Sequence, residues 1–307
     1  MKIAIYGTGG VGGYYGARLA DSGVDVHFVA RGAHLAAIRA NGLRVISRNG
    51  DVHLPSPQAT DDPATIGPCD VVMLGVKLYD TDAAAEGCKA LIGPDTVVIS
   101  FQNGVTAVDT LTATLGREHV AGGCTYIVSE ISDPGVITHT GTNAKLVFGE
   151  LDGHGSSRLA DFHAACVKAR IDAVLSNRVM VDIWGKFSFL AAYSGMTSLT
   201  RMPIGAVRGD AVTREMFRTA VAEVCAVAKA RGVGLKDDQV DRNMKQADSL
   251  DPASSSSMYH DLKRGRRLEL PWLSGAVSRL GRDLGVATPT HDFIYGALKL
   301  HAEGTAA

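Results

Sequence analysis

The sequence predicts an α/β protein in which residues 1–175 form a parallel sheet wound with helices and residues 176–307 form a second, all-helical domain. Three observations carry that reading. Short apolar runs bounded by Gly, Pro or Asp alternate with helical patterns through the first half, as strand-helix-strand units require. After Ser176 a 3.6-residue period dominates and strand-like runs stop. The 307 residues also exceed the roughly 250–300 at which a single hydrophobic core stops growing.

Taken in order, residues 2–6, 25–30, 70–76 and 96–100 read as buried parallel strands. Residues 11–22, 33–41, 81–91 and 105–115 supply the crossover helices. Val, Ile and Thr broken by Gly and Pro over 120–148 predict further strands, read as antiparallel additions at the sheet edge. A helix over 154–169 and a last strand over 171–175 close the domain. Beyond it, Phe217, Ala220, Val221, Val224, Val227 and Ala228 line one helix face, and Gly232 follows as the stop signal. Thr288 and Pro289 offer an N-cap and first-turn proline to a closing helix that runs to about residue 300.

Composition narrows the partners. With 31 Lys+Arg against 32 Asp+Glu, the net charge of -1 leaves no basic excess for a phosphate backbone, so nucleic acid is not expected. Five scattered cysteines without a CxxC pair suit a reduced, cytoplasmic protein without structural disulfides. No His pair at helical spacing and no Cys/His cluster points to a metal. The N-terminus has no signal-peptide pattern and no apolar run approaches ~18 residues, so no membrane segment is expected.

The first chemical signal is Gly7-Thr8-Gly9-Gly10-Val11-Gly12, a GxGxxG loop between the first strand and first helix. Gly7 permits the tight turn, Gly9 lets backbone approach a pyrophosphate, and Gly12 lets helix and strand pack closely. The amides of the helix N-terminus would face the anion. An ordinary glycine-rich turn is the alternative, but the strand and helix flank the loop correctly for a dinucleotide. NAD-binding folds carry an acid about 20 residues on, at the end of the second strand. Here Arg31 stands there, suited to a 2′-phosphate, while Asp25 lies at the strand's other end, so NADP is the expected cofactor. The alternative for Arg31 is a solvated surface residue.

Further segments, with that loop, resemble the ketopantoate reductase (2-dehydropantoate 2-reductase) family. They are Val76-Lys77, Gln102-Asn103-Gly104, Trp184-x-Lys186, Ser257-Met258 through Asp261, Glu269 to Gly275, and Arg279 to Gly285 with Thr288-Pro289. The resemblance spans nearly the whole chain in the family's order. It implies a Rossmann-type domain joined to a helical one, with NADPH and a small-molecule 2-oxo acid as reactants, and a homodimer. It further implies that Lys186 is the catalytic lysine and Glu269 its partner carboxylate. Lys77 and Asn103 become the nicotinamide-side polar pair, Asn103 also reaching substrate, and Ser257 a substrate-binding hydroxyl.

Each role has a plain structural competitor. Lys186 lies in an apolar helical pattern with Asp182 four residues earlier, which allows a simple ion pair. Carbonyl reduction favours the catalytic role, because the developing alkoxide needs a cation that can give up a proton. Glu269 could be a solvated acid. Lys77 and Asn103 close predicted strands at the edge where open parallel sheets bind ligands. Ser257 could cap the following helix, a use compatible with binding a carboxylate at that helix N-terminus.

The sequence also departs from the family pattern. Asparagines usual four and eight residues after the lysine are Leu190 and Ser194, and the one before the serine is Ser254. The Asp-x-x-Asn after the glutamate becomes Pro271 and Ser274. Ser194, Ser254 and Ser257 remain the candidate substrate-binding positions. Three functions follow: reduction of 2-dehydropantoate to pantoate in pantothenate biosynthesis; reduction of another, less hydroxylated 2-oxo acid by a D-2-hydroxy acid dehydrogenase; or a non-catalytic NADP-binding regulator, which the presence of both Lys186 and Glu269 disfavours.

Overall fold

The computed structural model describes residues 1–305 and contains the expected α/β and all-helical parts. By contacts, Met1–Asn103 and Ala107–Val179 form one compact unit, and Gly104–Thr106 with the chain from Met180 onward form the other.

The first unit is built on a ten-stranded sheet. Its parallel heart is β1 (Lys2–Tyr6) flanked by β2 (Asp25–Val29) and β6 (Val71–Leu74), with β7 (Val97–Ser100) beyond β6. These strands are close to continuously apolar because helices cover both faces, and β6 and β7 are buried at every residue. The connecting helices are α1 (Gly10–Asp21), α2 (Gly32–Asn41), α3 (Thr81–Cys88), α4 (Ala107–Leu115) and α5 (Ser157–Lys168).

Three short strands were not anticipated: β3 (Leu43–Ser47), β4 (Val52–Leu54) and β5 (Gln58–Thr60). The strands read over 120–148 are two long ones, β8 (Val120–Asp133) and β9 (Val136–Glu150), antiparallel to each other as expected. Their placement corrects the expectation of a sheet edge. β8 joins β7, whereas β9 carries β3 along its first part and β10 (Asp172–Leu175) along its last. The reason is length: a 15-residue strand offers its free side to two short partners in succession. The extended sheet also packs on α1 through β3, β4, β8 and β9, so α1 is closely surrounded. A Cβ at Gly13 would stand 2.7 Å from Ile137, and one at Gly16 2.7 Å from both Ile5 and Phe28. The Tyr15 hydroxyl meets Thr125 Oγ1 at 2.8 Å inside the same core.

The helices of the second unit are α6 (Val179–Thr200, from its second residue on), α7 (Ile204–Gly209), α8 (Ala211–Ala230), α9 (Gln239–Ser249), α10 (Ser257–Lys263), α11 (Ser274–Leu284) and α12 (Pro289–Leu298). The six apolar residues of the α8 stripe are all buried, and Gly232 takes φ +79° just past its end. Thr288 occupies the N-cap position of α12, but its side chain makes no capping bond. The buried Glu223 carboxylate of α8 accepts instead from the amides of Thr290 (2.8 Å) and His291 (3.0 Å). An acid from another helix has taken the capping duty that the local sequence assigned to threonine.

Candidate active site

Strand register brings four of the predicted binding elements to one edge. Tyr6 pairs with Val29 on one side and Leu74 on the other, and Leu74 pairs with Ser100. The chain leaves these neighbouring C-terminal ends as the glycine loop, Arg31, Lys77 and Asn103 respectively. From β1 it winds outward to β2, then returns to β6 on the other side, so the direction of winding reverses at β1. Open α/β sheets bind ligands outside the strand ends at such a switch point.

The glycine loop has the chemistry of a pyrophosphate cradle. Gly7 takes φ +101°, and a Cβ there would stand 2.7 Å from Val76 N. A Cβ on Gly12 would collide with the Gly7 carbonyl oxygen, whereas one on Gly9 would meet nothing nearer than Gly75 O at 4.0 Å. The outer two glycines are therefore required by the protein's own packing, and Gly9 leaves backbone that a ligand can approach. Gly10 passes so close to the Ser129 carbonyl that any side chain would clash. Gly9 is the N-cap of α1, whose first turn contains no acid, so nothing offsets the helix's attraction for an anion. Val11 lies half-buried in that first turn.

Two hydrogen-bond systems hold this edge in shape. The buried Thr8 donates its hydroxyl (3.0 Å) and amide (3.1 Å) to Val29 O, tying the loop to the end of β2. His34 Nδ1 accepts from the Gly135 amide at 3.0 Å, so its Nε2 must carry the hydrogen donated to Thr8 O at 2.8 Å. Burial pushes this imidazole below its usual pKa, in keeping with a neutral ring used at both nitrogens. On the far side of β1, Gln102 spans the ends of β6 and β7. Its Nε2 donates to Val76 O (3.1 Å) and Thr81 Oγ1 (2.9 Å), and its Oε1 accepts from Ser100 (3.0 Å). It thereby fixes the segments bearing the exposed Lys77 and the half-buried Asn103. Sequence reasoning noted Gln102 only as part of a tripeptide and passed over His34, whose partners are distant in the chain.

Arg31 precedes α2 with its side chain 79% exposed, and its Nη2 donates to Asp80 Oδ2 at 2.5 Å. Asp80 comes from the segment after β6 that also bears Lys77. No local pattern predicts this pairing.

In the helical unit, Lys186, Leu190 and Ser194 recur at four-residue spacing along α6, with Lys186 half-buried and Ser194 1% exposed. The same helix meets Ser274 and Ile294 at Gly195, donates or accepts between Thr197 and Ser256 at 2.9 Å, and meets Asn243 through Ser188. Glu269 is 7% exposed and directly precedes the short helical turn Leu270–Trp272, while Leu268 N donates to Ala302 O. Ser254 is half-buried, its carbonyl accepting from Ile204 N at 2.9 Å. Capping of α10 falls to its neighbour, not to Ser257: buried Ser256 accepts from Tyr259 N at 3.1 Å, and Ser257 is the exposed first helical residue. α10 has only seven residues, so its N-terminus by itself is a weak anion site.

Among the described residues no group of His, Cys, Asp and Glu could hold a metal ion, and no helix is long and apolar enough to cross a membrane.

The family description "Ketopantoate reductase PanE/ApbA" matches residues 3–153, and its C-terminal counterpart matches 178–302. The chain belongs to the ketopantoate reductase family. Ketopantoate reductases are oxidoreductases, and relatives match over nearly full length. A 2-dehydropantoate 2-reductase of Mesorhizobium japonicum is 32% identical, with 97% of each chain covered. The crystal structure of a PanE/ApbA family ketopantoate reductase from Ralstonia eutropha superimposes with a TM-score of 0.90 at 33% identity, covering 98% of both chains. D-mandelate dehydrogenase, solved with NADH and anilino(oxo)acetate, shares the fold with a TM-score of 0.87 at 23% identity, covering 98% of both chains.

Proposed function

We propose that this protein reduces a 2-oxo acid to the 2-hydroxy acid with NADPH, as a ketopantoate reductase-like enzyme. The single observation that carries this reading is the convergence of the glycine loop, Arg31, Lys77 and Asn103 on four adjacent strand ends in a chain of this family. NADPH, when bound, supplies the hydride. The Gly9 backbone and the α1 N-terminus bind its pyrophosphate, and Arg31 takes the 2′-phosphate. Lys77 and Asn103 supply polar contacts on the nicotinamide side, with Asn103 also available to substrate. Lys186 stabilises the developing alkoxide and delivers its proton, and Glu269 holds the ammonium in position. Ser194, Ser254 and Ser257 contribute to the substrate wall. The same reading makes the protein a cytoplasmic homodimer; its five cysteines are free thiols, four of them buried.

The substrate is either 2-dehydropantoate or a less hydroxylated 2-oxo acid, and the wall favours the second. Leu190, Ser194 and Ser254 stand where family members commonly present amides, and a hydroxylated substrate loses those partners. A site built to hydrogen-bond a hydroxyl rejects the analogue lacking it by roughly 10⁴ to 10⁵, whereas an apolar wall discriminates by about 10² or less. Steady-state turnover with NADPH should therefore show 2-oxoisovalerate reduced with a kcat/KM within about 10² of that for ketopantoate. A ratio above about 10³ in favour of ketopantoate would assign the protein to pantoate formation.

A further inference from the structure

We infer that Asp80 is a cofactor-specificity residue, acting as a counter-anion that restrains the preference for NADPH set by Arg31. This rests on the NADPH reading above and concerns how strict that preference is.

The end of β2 lacks the acid that would bind the ribose hydroxyls of NADH, and Arg31 stands nearby instead. Yet the fold supplies an acid from another part of the chain. Asp80 follows β6, the neighbour of β1 opposite β2, and its carboxylate reaches the Arg31 guanidinium at 2.5 Å. Its local position does not account for this orientation. Asp80 is the N-cap residue of α3, where aspartate ordinarily accepts a backbone amide of the first turn, but its side chain makes no capping bond. It is the hydrogen-bond and ion-pair partner of Arg31 among the described residues.

The segment bearing Asp80 is firmly placed. Asp80 N donates to Lys77 O at 2.9 Å, and Thr81 Oγ1 donates to Leu78 O (2.7 Å) while accepting from Gln102 (2.9 Å). The carboxylate side chain is 26% exposed, so solvent screens it only in part.

The consequence differs between cofactors. A 2′-phosphate drawn to Arg31 must share the guanidinium with a carboxylate already bound to it, and it comes close to that carboxylate's like charge. A 2′-hydroxyl brings no such charge and can donate to Asp80, as it does to the acid of NAD-binding folds. Arg31 therefore favours NADPH, Asp80 opposes it, and the chain retains appreciable affinity for NADH.

Equilibrium binding of NADPH and NADH, followed by nicotinamide fluorescence in wild type, Asp80→Asn and Arg31→Ala, tests this directly. Asp80→Asn keeps the shape and a hydrogen bond to Arg31 while removing the charge. The ratio of the NADH to the NADPH dissociation constant should rise about tenfold, mainly through tighter NADPH binding, and the gain should shrink at high salt. An unchanged or lower ratio overturns the counter-anion, and a lower one would make Asp80 a support for Arg31. Arg31→Ala reads the underlying preference by itself. Collapse of its ratio beside an unmoved Asp80→Asn ratio sinks the present inference alone, whereas a wild-type ratio in Arg31→Ala overturns the NADPH assignment and the inference with it.

Discussion

The two units position their candidate residues by different means. On the sheet edge, backbone register places the glycine loop, Arg31, Lys77 and Asn103, and buried polar side chains such as Thr8 and Gln102 lock the outgoing segments to main-chain carbonyls. In the helical unit, Lys186 and Ser194 are placed by turns of one long helix, and neighbours meet α6 through individual side chains such as Ser256 and Asn243. The two helix N-termini make the same contrast. That of α1 has no acid in its first turn, while that of α12 is occupied by Glu223 of the protein itself. A ligand cradle built from backbone tolerates little change in sequence, whereas a wall built from helix side chains can change its substrate by single substitutions.

The sharpest way to break this comparison is to separate binding from chemistry. If the sheet edge binds NADPH as proposed, Lys186→Ala should retain that binding while turnover falls by roughly 10² to 10⁴. Fluorescence titration and steady-state rates on the same preparation provide both readings. Loss of NADPH affinity in parallel with turnover would mean that the division of labour is wrong.

Next in size is an acid sensitivity seated mainly in the helical unit. His291 is fully buried, donates from Nε2 to Ala220 O at 3.0 Å, and is pushed by burial to a pKa of about 4. Between pH 6.5 and about 4 the unfolded chain binds a proton at this residue that the folded chain does not. Stability therefore falls as the pH is lowered through that window, by about 3 kcal/mol for this group. His34 in the sheet unit is also pushed down by burial and adds in the same direction. Thermal unfolding against pH should show a flatter acid limb in His291→Gln, with the remaining slope reduced further in His34→Gln. Parallel limbs in wild type and His291→Gln would refute the assignment.

The smallest effect should be equal in the two units. Arg170, just past α5, and Arg201, just past α6, are exposed non-glycine residues in the left-handed region, at φ 57° and 54°. Replacing either by glycine removes a steric cost and loosens the unfolded chain, so each should gain about 0.5–1 kcal/mol in denaturant melts. A gain at only one site would show that the local backbone is held differently in the two units.

Legibility followed the range of the interactions. β1, β2, β6 and β7 were readable because buried parallel strands are nearly all apolar, and the α8 stripe because its six residues share one face. β4 and β5 escaped notice because three residues carry no periodicity. In the run Ser254 to Ser257 every serine is a possible cap, and the sequence could not choose among them; Ser256 is the one buried against Thr197.

By itself, then, the sequence determined the α/β and helical division and the glycine loop of a dinucleotide-binding domain, because each is written in short spacings or in apolar periodicity, while the candidate reductase residues were named through the resemblance to the family. Only the tertiary structure decided that β8 and β9 continue the sheet beyond β7, that Glu223 caps α12 in place of Thr288, and that Asp80 faces Arg31. Those outcomes pair groups 49 to 68 residues apart, or depend on which strand end is free to extend, and charge or hydrogen-bond complementarity at such separations leaves no periodic trace along the chain.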